Sequence, residues 1–402
     1  MYLNKSVKMH ATQNLLPPPK KIPVTYITTA EALEVCIHDL YQTNALAFDL
    51  EFDRDHYTYG FNLCLMQITS ATHCYLIDPK ASLDISLLFP LLENPAIQKV
   101  VHSSAEDLRL LHSLKCYPTN LIDTEFYARL LNYERTSLGA VIQRFYGIEL
   151  DKKMQKINWV LRPLGAQQLN YAANDVLYLL EMKNELEKQA AIKNYLPFLQ
   201  DENDLLSTTI HHYKTTDNFL KKNDLLYLSP YNQYVLNGIF LYRDNIAKHQ
   251  NRPAHYIMNE ETTRQLASND ISPADWQNIK GLHPVIKSGV GQDKLFEHIQ
   301  KLTTEAINKK LSLKRMKKNN EHVDFKAEKI RSELLKATIF TPIQNEIAAN
   351  FGEHAMRFII SNTTVDAILL GQLKIGEMKN NSRKILVKES AEKLGITLAE
   401  FE

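Results

Sequence analysis

One short run, ALAFDLEF at residues 45–52, constrains this chain more than any other. Alternate residues of a strand share a face, so Ala45, Ala47, Asp49 and Glu51 line one side while Leu46, Phe48, Leu50 and Phe52 line the other. The apolar side demands a packed partner, and the opposite side presents two carboxylates. Two more acids sit in comparably apolar settings, Asp107 in KVVHSSAEDLRLL and Asp175 in YAANDVLYLL. Like charges about 4 Å apart repel by about 4 kcal/mol at an effective dielectric near 20. If these four acids gather, they call for cations.

Residues four apart stack one turn over in a helix, so the segment beginning near Ala166 sets Tyr171 beside Asp175. His102 lies just upstream of Asp107, and hard cations prefer oxygen, so the imidazole is read as a packed or hydrogen-bonding neighbour of the site and a candidate substrate contact, not as a metal ligand. Glu106 adjoins Asp107; the spacing from His102 favours Asp107 as the functional acid.

A chain of 402 residues exceeds one typical core and implies two or three domains. From Val24 the pattern reads as a short strand and then a helix capped by Thr28 with Glu31. Strand-like runs follow at Ala45 to Phe52, Leu63 to Thr69, His73 to Asp78 and Lys99 to His102. Helical patterns take over at Ala105 to Leu114, Glu125 to Leu131, Leu138 to Tyr146 and Ala166 to Glu187. This order predicts a mixed sheet flanked by helices over residues 24–195. Residues 1–23, ending in a proline run, read as an extended or disordered arm without a signal-peptide core. Beyond Asn194 strand patterns nearly vanish, and the basic run Lys309 to Lys318 divides the remainder into two small helical modules. The expected class is α/β plus all-α.

No apolar run approaches the roughly 18 residues that suggest a membrane span. Cys36, Cys64, Cys74 and Cys116 form no CxxC pair, which suggests neither a zinc site nor a disulfide frame and fits a reducing cytoplasm. A formal charge of +1 conceals a slightly acidic front and a basic C-terminal quarter. An acidic front half is a poor polyanion binder without metals. No GxxxxGK[ST] phosphate loop is present, which disfavours a helicase. The chemistry that suits clustered carboxylates is phosphodiester cleavage with two divalent ions, Mg²⁺ or Mn²⁺, on the attacking and leaving oxygens.

The segments DLEFDR, KVVHSSAEDL and YAANDVLYL resemble the three exonuclease motifs of the DEDD superfamily, in its tyrosine-bearing branch. IDTEFYARLL, ELDKK and NWVLRPL, in the same order, are similar to the ribonuclease D family across roughly residues 24 to 190. The resemblance implies a ribonuclease H-like sheet and degradation from the 3′ end. It implies Asp49, Glu51, Asp107 and Asp175 as metal ligands, and Tyr171 as the group that orients or helps deprotonate the attacking water. Leu50 stands where the family motif usually has threonine, on the side away from the metals. Phe52 is a candidate for stacking on the terminal base, with a core aromatic as the alternative. IFLYRDNIAKHQNRPAHYIMNEETTRQLA resembles the helicase and ribonuclease D C-terminal (HRDC) domain over about residues 213–303; a second such domain is expected over 325–402.

The implied function is a metal-dependent 3′–5′ exoribonuclease that releases mononucleotides from RNA with a free 3′ end, with transfer RNA precursors or other structured RNA as the substrate class. It needs no membrane and no obligate protein partner. A DNA-directed exonuclease and a non-catalytic nucleic-acid-binding adaptor remain the alternatives.

Overall fold

In the computed structural model, residues 15–213, 216–268, 276, 278–315 and 325–402 are described. The expected arm therefore lies outside the described residues over 1–14, as do residues 316–318 of the basic run. Residues 15–23 adopt no regular structure, and the Leu16 N–H donates to the Phe145 carbonyl at 2.7 Å.

Six strands form one sheet: β1 (Val24–Ile27), β2 (Ala45–Arg54), β3 (Phe61–Thr69), β4 (Cys74–Ile77), β5 (Gln98–Val101) and β6 (Leu121–Asp123). Their spatial order is β1-β4-β3-β2-β5-β6. The β2–β3 and β3–β4 pairs are antiparallel, and the β1–β4, β2–β5 and β5–β6 pairs are parallel. The mixed sheet anticipated from the alternating runs is thus present. Strand β6 extends it by three residues, too few to carry a periodic signal.

Helices cover both faces. On one, α1 (Ala30–Leu40), α2 (Phe89–Glu93) and α3 (Ala105–Ser113) bury Leu33, Leu40, Leu91, Leu108 and Leu111 against Leu46, Phe48, Leu50, Met66 and Ile68. The other face meets α4 (Thr124–Leu130), α5 (Leu138–Tyr146), α6 (Ala166–Leu177) and α7 (Leu179–Ile192), and α8 (Leu196–Thr208) follows. There Ala47, Leu65, Leu76 and Val100 pack with Ala172, Ala173, Val176 and Met182. The strands alternate between the two cores, as the period of two requires, except in β3, where Cys64 and Leu65 both face the second core at the irregularity in the β2–β3 register. The cap of α1 is Thr29, which accepts the Ala32 N–H, and not Thr28. The expected helix over 166–187 is two helices, joined at Tyr178. Tyr178 stays near helical backbone geometry, so an apolar period runs through the joint undisturbed.

The rest of the chain is helical. A first group comprises α9 (Lys222–Tyr227), α10 (Pro230–Gln250), α11 (Ala254–Ile257), α12 (Glu260–Ala267), α13 (Pro284–Lys287) and α14 (Gly289–Asn308). It has its own core around Val235, Ile239, Trp276, Leu295 and Leu302. Tyr59 links it to the sheet domain: the ring packs against this core, the hydroxyl donates to Asp244 at 2.7 Å and the N–H donates to Asn251 Oδ1 at 3.3 Å.

The second group, α15 (Phe325–Leu335), α16 (Thr341–Phe351), α17 (Glu353–Ile359), α18 (Asn362–Leu369) and α19 (Asn381–Lys393), is attached differently. Phe340, Ile343, Ile347, Phe358 and Ile359 belong to the same continuous core as α4 and α7. Asn132 Oδ1 accepts the N–H groups of His354 and Ala355 and so caps α17 from the sheet domain. Only glycine fits before that cap, because Gly352 has φ +95° and a Cβ there would lie 2.1 Å from Asn132 Nδ2. Arg383 adds a two-pronged ion pair to Glu202, at 2.5 and 2.9 Å.

Candidate active site

Strand β2 is central in the sheet and delivers Asp49 and Glu51 to the face covered by α6. Helix α6 contributes Tyr171 and Asp175, and the first turn of α3 contributes Asp107, just past the end of β5. Asp107 and Asp175 are buried; Asp49, Glu51 and Tyr171 are half-buried. A cavity of about 460 Å³ opens here, lined by Asp49, Tyr171 and Asp175 together with His102, Glu125 and Gln155.

The four carboxylates sense one another. Burial, and then the charges of Asp49, Asp175 and Asp107, push Glu51 well above the usual carboxylate range. Burial followed by Asp49 does the same to Asp107 and Asp175. Asp49 is raised by burial, against a smaller opposing hydrogen bond from the Leu50 backbone. Among the described residues none of the four is in an ion pair, although sixteen pairs form elsewhere. As they stand, no three His, Cys, Asp or Glu side chains among the described residues are grouped closely enough to cage an ion. The donor set nonetheless fits hard divalent cations, being entirely carboxylate oxygen and lacking positive charge.

Neighbouring acids have other work. Glu106 pairs with Arg54 at 2.5 Å and with Arg109, on the exposed side of α3, which separates it from Asp107. Asp53, third acid of the β2 run, accepts the N–H groups of His56, Tyr57 and Thr58 and closes the turn into β3. Phe52 follows a bulge between Glu51 and Phe52 and packs with the opposite core, its ring 5.1 Å from Phe61. It is not brought to the carboxylates.

His102 is fixed on both sides of its ring. Nε2 lies 2.9 Å from the Thr136 carbonyl, which only accepts, so Nε2 carries a proton; Nδ1 lies 2.8 Å from Thr124 Oγ1. Burial first lowers its pKa. The ring therefore braces the segment at Thr136 that walls the cavity.

Asp123, inside IDTEFYARLL, was not singled out by the sequence reading. Its buried carboxylate accepts the N–H groups of Ser103, Ser104 and Glu125, holding the turn that starts α3 and capping α4. An aspartate before a helical run is an N-cap signal, but its reach to Ser103, which has φ +58°, is tertiary.

Residues 24–191 match a family described as 3′-5′ exonuclease. The chain is 34% identical over 248 residues to ribonuclease D of Haemophilus influenzae, covering 59% of this chain and 60% of that protein. Its fold is like that of Escherichia coli RNase D, at a TM-score of 0.68 and 22% identity, over 92% of this chain and 99% of that one. It is also like the catalytic core of RRP6 from Trypanosoma brucei, at a TM-score of 0.61 and 26% identity, over 71% and 81%. The sequence match to the Haemophilus influenzae relative thus spans less than two thirds of that protein's length. A mixed sheet thus carries the 3′-5′ exonuclease match over residues 24–191, and the chain is similar in sequence to ribonuclease D over 248 residues and in fold to RNase D over 92% of its length.

Proposed function

We propose that this chain is a metal-dependent 3′–5′ exoribonuclease that releases mononucleotides. The observation that carries the reading is four carboxylates on one face of the sheet, all raised by burial and three of them also by neighbouring carboxylates, with no ion-pair partner among the described residues. Asp49, Glu51, Asp107 and Asp175 would hold two divalent ions, Mg²⁺ or Mn²⁺. When bound, such ions supply the positive charge that attracts the scissile phosphodiester and acidifies the attacking water.

Tyr171 acts as a donor. Burial first, then Asp175, Glu51 and Asp49, raise its phenol far above the ordinary tyrosine value, so the proton stays on and the hydroxyl orients water instead of deprotonating it. His102 and Asp123 hold the cavity wall and the Asp107 turn. The helical groups would carry HRDC-type contacts to the RNA body, over about residues 213–303 and 325–402. Transfer RNA precursors or other structured RNA are the substrate class that the likeness to ribonuclease D suggests, with the single-stranded 3′ end entering the cavity.

A 3′-labelled RNA incubated with Mn²⁺ should lose its label as mononucleotide, and a chelator should stop the release. Internal cleavage appearing first would refute the proposal. Faster loss from a matched DNA oligomer would favour a DNA-directed enzyme, and no turnover with any divalent ion would favour an adaptor.

A further inference from the structure

Gln67 of β3 is wholly buried, and neither its Nε2 nor its Oε1 has a hydrogen-bond partner among the described residues. Buried amides are rarely left so, because each lost hydrogen bond to water goes uncompensated. Its position suggests what the amide serves. In the antiparallel β2–β3 register Gln67 stands directly opposite Asp49, so both side chains leave the sheet on the same face. On its other side, in β4, the partner is Leu76. The helix that covers β2, β3 and β4 here is α6, which presents Ala172, Ala173 and Val176 to this core. Of the two residues registered beside Gln67, only Asp49 is polar.

We infer that Gln67 is a positioning residue: its side-chain N–H donates to the Asp49 carboxylate once divalent ions occupy the cluster, fixing the orientation of that carboxylate. The inference rests on the metal reading above. Asp49 is the polar group that the sheet register sets beside the buried amide, and a carboxylate held there by bound ions would give the side-chain N–H its missing acceptor. An amide held unsatisfied in the metal-free protein and used in the loaded one belongs to the outer shell of a metal site, where losses are typically about tenfold or more in metal affinity.

The test uses the full chain, with Gln67→Met as a near-isosteric change and Gln67→Leu beside it. Mn²⁺ binding is followed by calorimetry and metal-free melting by circular dichroism. The expected result is about a tenfold or greater rise in the Mn²⁺ dissociation constant, with metal-free melting at or above wild type in at least one variant. Wild-type Mn²⁺ affinity in a folded variant overturns the inference. So does melting far below wild type in both variants, because the amide would then serve the fold alone. If the wild-type protein binds no Mn²⁺, the metal reading falls and takes this inference with it. If it binds Mn²⁺ and trims RNA while the variants bind equally well, only the inference falls.

Discussion

Tyr171 and the acids around it illustrate how burial decides chemistry one residue at a time. Tyr171→Phe should leave melting nearly unchanged and cut turnover by about 10²-fold, the usual loss when a reacting group is misplaced; single-turnover kinetics would measure it. Burial holds protons on Asp49 up to about 7, and burial followed by the Asp49 charge holds them on Asp175 up to about 8. In the unfolded chain these groups titrate near 4. The metal-free folded form therefore binds more protons between those limits, and its stability should fall as pH rises from about 4 through about 8. Melting in chelator should drop from pH 5.5 to 8.5, while Mn²⁺ should raise it far more at 8.5. An Mn²⁺-induced rise that is equal at both values would contradict the cluster. Strand alternation and helical stacking were enough to put Asp49 and Glu51 on one face and Tyr171 beside Asp175. They could not show that Glu106 turns to Arg54 and Arg109, since that choice depends on a side chain 52 residues away.

Among elements, the turn between β5 and α3 matters most for the site. Asp123 at the end of β6 satisfies three N–H groups there, two of which lead into the helix that carries Asp107. Asp123→Ala should cost about 2–3 kcal/mol of stability by urea unfolding, because buried donors lose their acceptor and α4 loses its cap. It should also weaken Mn²⁺ binding. The sheet was legible because each long strand repeats its alternation several times. Strand β6 was not, since three residues contain no period to read, and the joint at Tyr178 was invisible because the apolar spacing of α6 continues into α7. Thr29 replaced Thr28 as the first cap because cap choice turns on one residue's backbone angles, here φ −128° and ψ 155°.

Across the whole molecule, the two helical groups are joined to the sheet domain by different physics. The Glu202 side chain is 4% exposed, so Arg383→Ala should strand a buried carboxylate and cost about 3–5 kcal/mol. Tyr59→Phe removes one part-buried hydrogen bond to Asp244 and should cost only about 1 kcal/mol. Chemical denaturation of the two variants would separate these cases. The basic run divides the second half of the chain, but composition does not tell which helical group shares a core with the sheet domain. That depends on Phe358 reaching Phe126, with ring centroids 5.7 Å apart, and on Asn132 capping a helix 222 residues downstream.

The shared core has a consequence during synthesis. A ribosome that has translated only as far as the basic run has made Asp49, Glu51, Asp107 and Asp175, yet the apolar surface of α4 around Phe126 still lacks Phe358 and its neighbours. Chains stopped at the basic run should therefore leave that surface open to water and prone to aggregation.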